Sequence, residues 1–262
     1  WDKAKRNDAL PLNMKVKAIL LAGGHGSRLY PFTKYTQKTL LPLYNRPVID
    51  YALGTIRRAG IKDITIISNQ FIGQIAKHVG GGLPDERIHY VLEEEPTGVA
   101  DALNLARVYN EDCRVLVYFS DNITTMELKE EVELFSEELE DPGCVLLARK
   151  EDNPEAFGVA VLDDDGVVTD IVEKPENPPS DLAIGGIYMF DEMFWTYVDQ
   201  GVGEKGKGFS ISDVTRRYVQ RKKAKLLTVG PETWVDCGTP ESLLQASTMA
   251  AEGKLNPRPF RD

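Results

Sequence analysis

A glycine-rich turn follows an apolar run near the start of the chain and is the first candidate for chemistry. Ala18–Ala22 has the composition of a buried strand, and Gly23, Gly24 and Gly26 follow it. Glycine lets the backbone approach a ligand closely and turn its N–H groups inward, so such loops bind anions. A dinucleotide fingerprint starting at Gly24 would need glycine where Leu29 stands, and the P-loop ending Gly-Lys-Ser/Thr is absent. The turn therefore predicts an anion site of another type, with a ligand-free tight turn as the alternative.

The charge around this turn is opposite to that of the whole chain. The 262 residues carry 31 Lys and Arg against 41 Asp and Glu, a formal net charge of −10. Positions 14 to 49 contain no acid, and their cations are Lys15, Lys17, Arg28, Lys34, Lys38 and Arg46. A positive segment in an acidic protein favours a small phosphorylated ligand. The overall charge argues against a nucleic acid or an anionic membrane as partner.

Two isolated acids are candidates for holding a metal ion. Asp121 comes just after the strand-like run Val115–Phe119, at the edge where ligands bind in open α/β sheets. Asp236 stands between the apolar pair Trp234-Val235 and a glycine turn. Mg²⁺ favours one or two carboxylates together with phosphate oxygens and water. A lone Asp is more often a turn former or an exposed loop residue, so these two acids depend on their context for a functional interpretation.

That context is a set of spaced motifs: Leu21-Ala22-Gly23-Gly24-x-Gly26-Ser27-Arg28-Leu29-x-Pro31-x-Thr33, then Lys38-x-Leu40-Leu41-Pro42-Leu43, then Arg46-Pro47-Val48-Ile49. The set resembles the signature of sugar-phosphate nucleotidyltransferases. Within that family it is most similar to the short forms of glucose-1-phosphate thymidylyltransferase. The resemblance continues from Met14 to about Ala246.

The resemblance implies Mg²⁺-dependent transfer of a nucleotidyl group from dTTP to a sugar 1-phosphate, for which glucose 1-phosphate is the first candidate, with release of pyrophosphate. It implies catalytic roles for Arg28, Lys38 and Lys174. The nucleotide-binding residues that it implies are Leu21, Ala22, Gly23, Gly24, Glu93, Pro96, Gly98 and Asp121. The sugar-phosphate residues are Asn122, Gly158, Glu173, Lys174, Ile184 and Tyr188. The implied metal ligands are Asp121 and Asp236.

Three positions depart from the family pattern. Ser120 replaces a glycine before Asp121, which predicts a narrower approach to the metal, and Gly185 replaces a threonine in the sugar pocket. Glu93 stands where family members that read thymine or uracil carry glutamine. An ionised Glu only accepts hydrogen bonds, whereas a Gln amide both donates and accepts. Three alternatives stay open: a base other than thymine, such as guanine, a donor supplied by a neighbour, or a shifted register among three consecutive Glu.

The elements that position these residues alternate between strand and helix in the first half of the chain. Buried-strand runs at 16–22, 64–68, 88–92, 115–119 and 145–148, with a helix opened by Pro47 and closed by Gly60, predict a mainly parallel sheet. From Phe157 onward, short strands and turns predict a hairpin-rich layer. The expected fold is a Rossmann-like α/β three-layer sandwich with a mainly parallel mixed sheet and an attached hairpin-rich sugar-binding layer. Residues 14–262 are predicted to form a single nucleotidyltransferase domain, and residues 1–13 an N-terminal extension.

Composition also limits the cellular compartment and the partners that the sequence predicts. The three cysteines, Cys113, Cys144 and Cys237, form neither a disulfide framework nor a paired metal motif, which favours a reducing cytoplasm. No run approaches the roughly 20 apolar residues of a membrane helix. The predicted partners are a nucleoside triphosphate and a sugar 1-phosphate, and self-association stays open. The alternatives are the same chemistry with UTP, CTP, GTP or another sugar, and a non-catalytic subunit that senses nucleotide sugars.

Overall fold

The computed structural model describes residues 15–94, 98–111, 113–137, 142–205, 209–230 and 233–260. The predicted extension at residues 1–13 and the predicted nucleotide-binding residue Pro96 lie outside these ranges. None of the helices in the described part of the chain combines the length and the apolar character that a bilayer crossing needs.

The first half of the chain alternates strands with helices. Its elements are β1 (Val16–Leu21), β2 (Pro42–Leu43), β3 (Arg46–Pro47), α1 (Val48–Arg58), β4 (Asp63–Ser68), α2 (Ile72–Val79), β5 (Arg87–Leu92), α3 (Val99–Asn110), β6 (Arg114–Phe119), β7 (Asn122–Thr124) and α4 (Lys129–Glu137). The segment between β1 and β2 is irregular apart from three 3₁₀ turns at Ser27–Leu29, Phe32–Lys34 and Lys38–Leu40.

The second half is richer in hairpins. Its elements are β8 (Cys144–Lys150), β9 (Gly158–Leu162), β10 (Val168–Glu173), β11 (Leu182–Phe190), α5 (Phe194–Lys205), α6 (Ile211–Gln220), β12 (Ala224–Val229), β13 (Trp234–Asp236) and α7 (Pro240–Ala251). Two helix starts carry a capping box, in which side chain and backbone exchange hydrogen bonds. These are Ser210 with Asp213 at α6, and Thr239 with Ser242 at α7.

Nine of the described strands form one mixed sheet with the order β10-β9-β11-β6-β1-β4-β5, while β8 pairs with both β11 and β12. Strands β4, β1 and β6 are parallel neighbours, and β11 runs antiparallel to β6 and β8. The hairpin strands β9 and β10 extend this same sheet at its edge. This architecture confirms the predicted mainly parallel, Rossmann-like mixed sheet.

Strand β11 begins at Leu182 and continues through two consecutive glycines to Phe190. Gly185 and Gly186 interrupt the apolar pattern in the sequence. Here the pairing with β8 resumes after a register shift between Ile184 and Tyr188. Neighbouring strands therefore hold the extended conformation through the glycines despite their low strand propensity.

The core lies on both faces of the sheet, as three layers require. Along β1, Ile19 belongs to one apolar cluster, whereas Ala18 and Leu20 belong to the other. Helices α3, α5 and α6 cover the first face, and α1, α2 and α4 cover the second. Burying a side chain such as that of Ile19 or Leu20 stabilises the fold by about 1.5–3 kcal/mol. The two layers thus fix the sheet whose carboxyl edge carries the predicted site.

A third, smaller apolar cluster joins the two-stranded pair β7 and β13 to α1 and α7. It contains Val48, Tyr51, Ile123, Val235 and Ala246. The cluster matters for the site because Asp121 and Asn122 lead into β7, while Asp236 ends β13.

Candidate active site

The glycine loop between β1 and the first 3₁₀ turn is held by side chains from other segments. Ala22 accepts hydrogen bonds on its carbonyl oxygen from Gln37 Nε2 at 2.5 Å and from Ser68 Oγ at 2.9 Å. Asn69 Nδ2 donates to the carbonyl oxygen of Gly23 at 3.0 Å. All three supporting side chains are buried. The carbonyl oxygens of Ala22 and Gly23 thus receive their hydrogen bonds from the protein interior. The outer face of the loop is left for a ligand.

The loop conformation explains two of its glycines. Gly26 has φ +62°, in the left-handed region, and a Cβ there would lie 2.8 Å from Thr33 Cγ2. A Cβ on Gly24 would lie 3.1 Å from Lys38 Nζ. A larger residue at position 24 would therefore push Lys38 away from the loop.

Lys38 and Asp121 form an ion pair beside the loop. Asp121 is 8% exposed, and its Oδ1 accepts a hydrogen bond from Asn122 Nδ2 at 3.0 Å. Burial alone would raise the pKa of Asp121, but Lys38 outweighs it and holds the pKa below its ordinary value. Asp121 is therefore ionised near neutral pH.

Asp236 lies next to Asp121 because β13 pairs with β7, with Asp236 opposite Asn122. Cys237 N donates to the carbonyl oxygen of Asp121 at 2.8 Å, which ties the two segments together. Burial, with the negative charge of Asp121, raises the pKa of Asp236 to about 6, although Lys38 and Arg28 oppose the shift. Two carboxylates that repel one another in a buried place form a site that a cation would stabilise.

Arg28 approaches the same place from the first 3₁₀ turn. A Cβ on Gly238 would lie 2.5 Å from Arg28 Nη2 and 2.6 Å from Asp236 Oδ1. Glycine at position 238 therefore makes room for both groups. Arg28 itself is exposed, so its guanidinium is available to a ligand at the mouth of the site.

The carboxylate pair fits Mg²⁺ bound together with phosphate. Within the described ranges, no three or more His, Cys, Asp or Glu side chains gather in a way that would hold a metal ion alone. Two carboxylates are the donor set that Mg²⁺ combines with substrate phosphates and water. Asp121 and Asp236 would hold the ion.

Ser120, which replaces the glycine of the family pattern, turns away from these carboxylates. Its backbone N–H donates to the carbonyl oxygen of Leu21 at 3.0 Å, and its Oγ donates to the same oxygen at 2.8 Å. The hydroxyl of Ser120 is therefore engaged in a hydrogen bond between the ends of β1 and β6. Its bonding therefore does not support the narrower approach to the metal expected from the sequence.

A pocket of about 300 Å³ opens beside the loop. Its lining is Leu21, Gly23, Gly24, His25, Lys38, Glu93, Gly98, Val99, Ala102, Phe119 and Asp121. Six of these were predicted as nucleotide-binding residues, and Lys38 was predicted as catalytic. Predicted residue Ala22 lies behind them, fully buried.

A second group of predicted residues lies where β9 and β10 pair. Glu173, the last residue of β10, is opposite Gly158 of β9. Ser212, in the first turn of α6, donates its hydroxyl to Glu173 Oε2 at 2.5 Å. A Cβ on Gly158 would lie 3.3 Å from Ser212 Oγ and 3.4 Å from Glu173 Oε2. Helix α6 therefore orients this carboxylate, a contact absent from the sequence reasoning.

Lys174 follows Glu173 in a left-handed conformation, with φ +42°. The chain therefore bends at Lys174, directly after the end of β10. Lys174 Nζ lies 3.8 Å from Glu173 Oε1, and the Lys174 side chain is 66% exposed. Its ammonium group can therefore move toward a ligand.

Asn122 links the carboxylate pair to strands β11 and β13. Its Oδ1 accepts hydrogen bonds from Trp234 Nε1 at 2.6 Å and from Gly186 N at 3.0 Å. A Cβ on Gly186 would lie 2.6 Å from Asn122 Nδ2, and one on Gly185 would lie 3.4 Å from the Trp234 ring. Trp234 thus occupies the space next to Gly185 where the family pattern has a threonine. Trp234 is a second residue that the sequence reasoning did not select for the site.

Ile184 and Tyr188, also predicted for the sugar phosphate, are buried on β11. The Tyr188 ring packs against Phe119 with a centroid distance of 6.1 Å and against Phe190 at 5.9 Å. Burial, with Glu173 nearby, raises the pKa of Tyr188. Both residues belong to the apolar cluster on the first face of the sheet.

This arrangement can be compared with known proteins. Residues 17–253 match the nucleotidyl transferase family. The nucleotidyltransferase Agl11 of low-salt glycan biosynthesis in Haloferax volcanii is 33% identical over 91% of this chain and 67% of its own length. A glucose-1-phosphate thymidylyltransferase of Neisseria meningitidis is 32% identical over 89% of this chain and 82% of its own length.

Solved structures of related proteins point to the same family. A Bacillus anthracis protein described as a glucose-1-phosphate thymidylyltransferase, in complex with sucrose, superimposes with a TM-score of 0.84. It is 33% identical and covers 90% of this chain and 95% of its own. A UDP-glucose pyrophosphorylase complexed with UDP-glucose, 21% identical, shares the fold with a TM-score of 0.78, over 92% of this chain and all of its own.

The chain belongs to the nucleotidyl transferase family, and it is a sugar-1-phosphate nucleotidyltransferase similar to glucose-1-phosphate thymidylyltransferases. The predicted family resemblance and reaction class are confirmed.

Proposed function

We propose that this chain transfers the thymidylyl group of dTTP to glucose 1-phosphate, with Mg²⁺ bound by Asp121 and Asp236. The observation that carries the proposal is the convergence of Lys38, Asp121, Asp236 and Arg28 beside a glycine loop. The names of the relatives at 32% and 33% identity support the choice of dTTP and glucose 1-phosphate.

In this reaction, an oxygen of the sugar phosphate attacks the α-phosphorus and forms a new P–O bond. The bond from that phosphorus to the oxygen bridging the α- and β-phosphates breaks, and its electron pair leaves with pyrophosphate. Such transfers gain mainly from positioning and charge neutralisation. Bound Mg²⁺ supplies neutralisation of phosphate charge and orientation of the reacting oxygens.

The residues of the chain have separate tasks. Arg28, exposed at the mouth of the site, holds the departing pyrophosphate, and Lys38 supports it from the 3₁₀ turn beside the glycine loop. Lys174 orients the attacking phosphate, while Glu173 accepts hydrogen bonds from sugar hydroxyls. The pocket lined by Leu21, Gly23, Gly24, Glu93 and Gly98 receives the nucleoside.

The proposal is tested by measuring pyrophosphate release from a matrix of dTTP, UTP, CTP and GTP against several sugar 1-phosphates. The expected best pair is dTTP with glucose 1-phosphate. Arg28→Ala and Asp121→Asn should each lower kcat/KM by at least roughly a hundredfold, as expected when a preorganised charge is lost at the transition state. Lys77→Ala removes an exposed cation from α2 and should leave turnover unchanged.

Unchanged melting temperatures would show that the variants are folded. Near-normal pyrophosphate release by folded Arg28→Ala or Asp121→Asn would refute the assigned roles. Binding of nucleotide sugars with no pyrophosphate release from any pair would favour the sensing subunit instead.

A further inference from the structure

One carboxyl group of the pocket has an unusual environment. Glu93 follows the end of β5, and its backbone N–H donates to the carbonyl oxygen of Ser68 at 2.8 Å. The residue is 5% exposed and lines the pocket beside the glycine loop. A Cβ on Gly23 would lie 2.5 Å from Glu93 Oε2, so the carboxyl group rests against the loop backbone.

The carboxyl group of Glu93 accepts no side-chain or backbone hydrogen bond and forms no ion pair with any residue in the described ranges. The remaining lining of the pocket near it is mostly glycine and apolar: Leu21, Gly23, Gly98, Val99, Ala102 and Phe119. The Glu93 oxygens are not among the fully enclosed side-chain atoms without a partner, so they are open to the pocket, where a ligand can complete their hydrogen bonds. The position of Glu93 in the pocket wall thus suits recognition of a ligand.

The two charged groups that act on Glu93 have opposite effects on its ionisation, and the effect of Asp101 is the larger. Asp101, on α3, is negative, while His25, on the glycine loop, acts in the opposite direction. Lys38 and Asp121 line the same pocket but pair with one another. Burial, with the charge of Asp101, raises the pKa of Glu93 above its ordinary value of 4.5. A bound triphosphate would add negative charge and exclude water, and both effects act in the same direction.

We infer that Glu93 reads the base as a neutral carboxylic acid, with its O–H donating to a base carbonyl and its C=O accepting from the adjacent N–H. This inference rests on the proposed function, because it places the base of the nucleotide in this pocket. A neutral carboxyl group offers one donor and one acceptor, as a side-chain amide does. It therefore complements the imide edge of thymine or uracil.

The ionised form would select differently. A carboxylate only accepts hydrogen bonds, so it complements an edge with two adjacent donors, such as N1–H and N2–H₂ of guanine. The two protonation states of one residue thus correspond to two base classes. The base preference of the enzyme should change with pH, whereas glutamine at this position would fix it.

The test compares kcat/KM for dTTP with kcat/KM for dGTP, using one sugar phosphate, from about pH 5 upward to about pH 8. The two nucleotides differ only in the base, so effects of pH on the phosphates and the metal cancel in the ratio. In the wild type, the ratio of dTTP to dGTP should fall by at least about fivefold as pH rises, the lower end of what a bidentate contact to a base edge contributes.

Glu93→Gln is the matched variant, because it keeps the shape and removes the titration. Its ratio should stay high and independent of pH. Asp101→Asn is the second variant and keeps Glu93 in place. Removing the negative charge of Asp101 should move the fall in the wild-type ratio to lower pH.

Failure of the inference and failure of the proposed function give different results. If dTTP is used but the wild-type ratio is as independent of pH as that of Glu93→Gln, the neutral-acid reading is wrong and the proposed function stands. If dGTP is preferred throughout, the inference and the proposed base are both overturned. If no nucleotide supports pyrophosphate release, the proposed function itself fails, and the inference fails with it.

Discussion

Buried carboxylates in this protein differ in what compensates their charge. Asp121 pairs with Lys38, whereas Glu93 faces the pocket and no residue in the described ranges neutralises it. Asp50, on α1, is 4% exposed, and its Oδ1 lies 2.7 Å from His78 Nε2 on α2. Its Oδ2 lies 3.8 Å from Arg46 Nη1. Because His78 gains and loses a proton near neutral pH, its pair with Asp50 should make the free energy of unfolding depend on pH.

Replacing His78 with Gln should flatten this pH dependence. The hydrogen bond to Asp50 raises the pKa of His78, although burial opposes the shift. A raised pKa in the folded state stabilises the fold below the unfolded value of 6.5, and this stability is lost as pH rises through the folded pKa. Because the His78 side chain is 31% exposed, the loss should not exceed about 1 kcal/mol. Urea unfolding at about pH 5.5 and about pH 8.5 measures it.

His89 provides a control, because its pKa is shifted in the opposite direction to that of His78. Burial lowers the pKa of His89, which stacks on Tyr109 with a centroid distance of 4.1 Å. Its native state binds fewer protons than the unfolded chain, so stability should rise with pH below 6.5 and His89→Gln should remove that rise. Equal pH dependence of His78→Gln and the wild type would contradict the assignment to the Asp50 pair.

At the scale of elements, helix α6 joins the hairpin strands to the site through Ser212. The helix begins with a capping box between Ser210 and Asp213, which fixes its first turn and points the Ser212 hydroxyl at Glu173. The donor and acceptor are 39 positions apart in the chain. Ser212 is therefore a positioning residue: it fixes a carboxylate proposed to contact the sugar.

Ser212→Ala should raise KM for the sugar phosphate by about threefold to tenfold, as expected for a hydrogen bond to a charged group that is partly exposed. The kcat value and KM for the nucleotide should change little. Ser212→Thr retains the hydroxyl and should restore KM toward the wild-type value. Steady-state kinetics with each substrate varied in turn separate these effects. Equal increases of both KM values, or failure of the Thr variant to restore the first, would indicate a structural role only.

The elements that carry the site were predictable where a buried strand ends in a chemically active residue. The apolar runs before Gly23 and Asp121 identified β1 and β6, and parallel pairing then brought their ends together. Gln37 and Ser212 could not be found in this way, because their partners Ala22 and Glu173 lie in other segments. In the sequence, Gln37 and Ser212 are marked only by their polar side chains. The left-handed conformation of Lys174 likewise has no signal in the sequence, because residues other than glycine rarely adopt it.

At the scale of the whole molecule, the end of the chain returns to the first helix. Arg58 Nη1 donates to the carbonyl oxygens of Asn256 and Arg258 at 2.6 and 2.7 Å, and the Arg46 guanidinium lies 3.5 Å from the centroid of the Phe260 ring. Because α1 also contributes to the cluster with β7 and β13, this segment braces the layer that holds Asp236.

At Gly54, the backbone of α1 comes close to the backbone of this segment. A Cβ there would lie 2.5 Å from the carbonyl oxygen of Pro257, a backbone atom that cannot rotate away. Gly54→Ala should therefore destabilise the full chain by about 1–3 kcal/mol, because overpacking outweighs the gain in helix propensity. The same substitution in a chain that ends at Leu255 should instead stabilise by up to about 1 kcal/mol, since only the propensity gain remains.

Gly73→Ala, in α2, provides the comparison, because a Cβ at that position meets no atom within 4 Å. It should have the same sign of effect in the full and the shortened chain, a gain of up to about 1 kcal/mol. Urea unfolding of the wild type and the two variants, in both chain lengths, measures the coupling between Gly54 and residues 256–262 as a double-mutant cycle. A reversal of sign at position 54 with none at position 73 would show that contact with the chain end, and not helix propensity, requires glycine there. If Gly54→Ala has the same sign in both lengths, the segment does not press on α1 in solution.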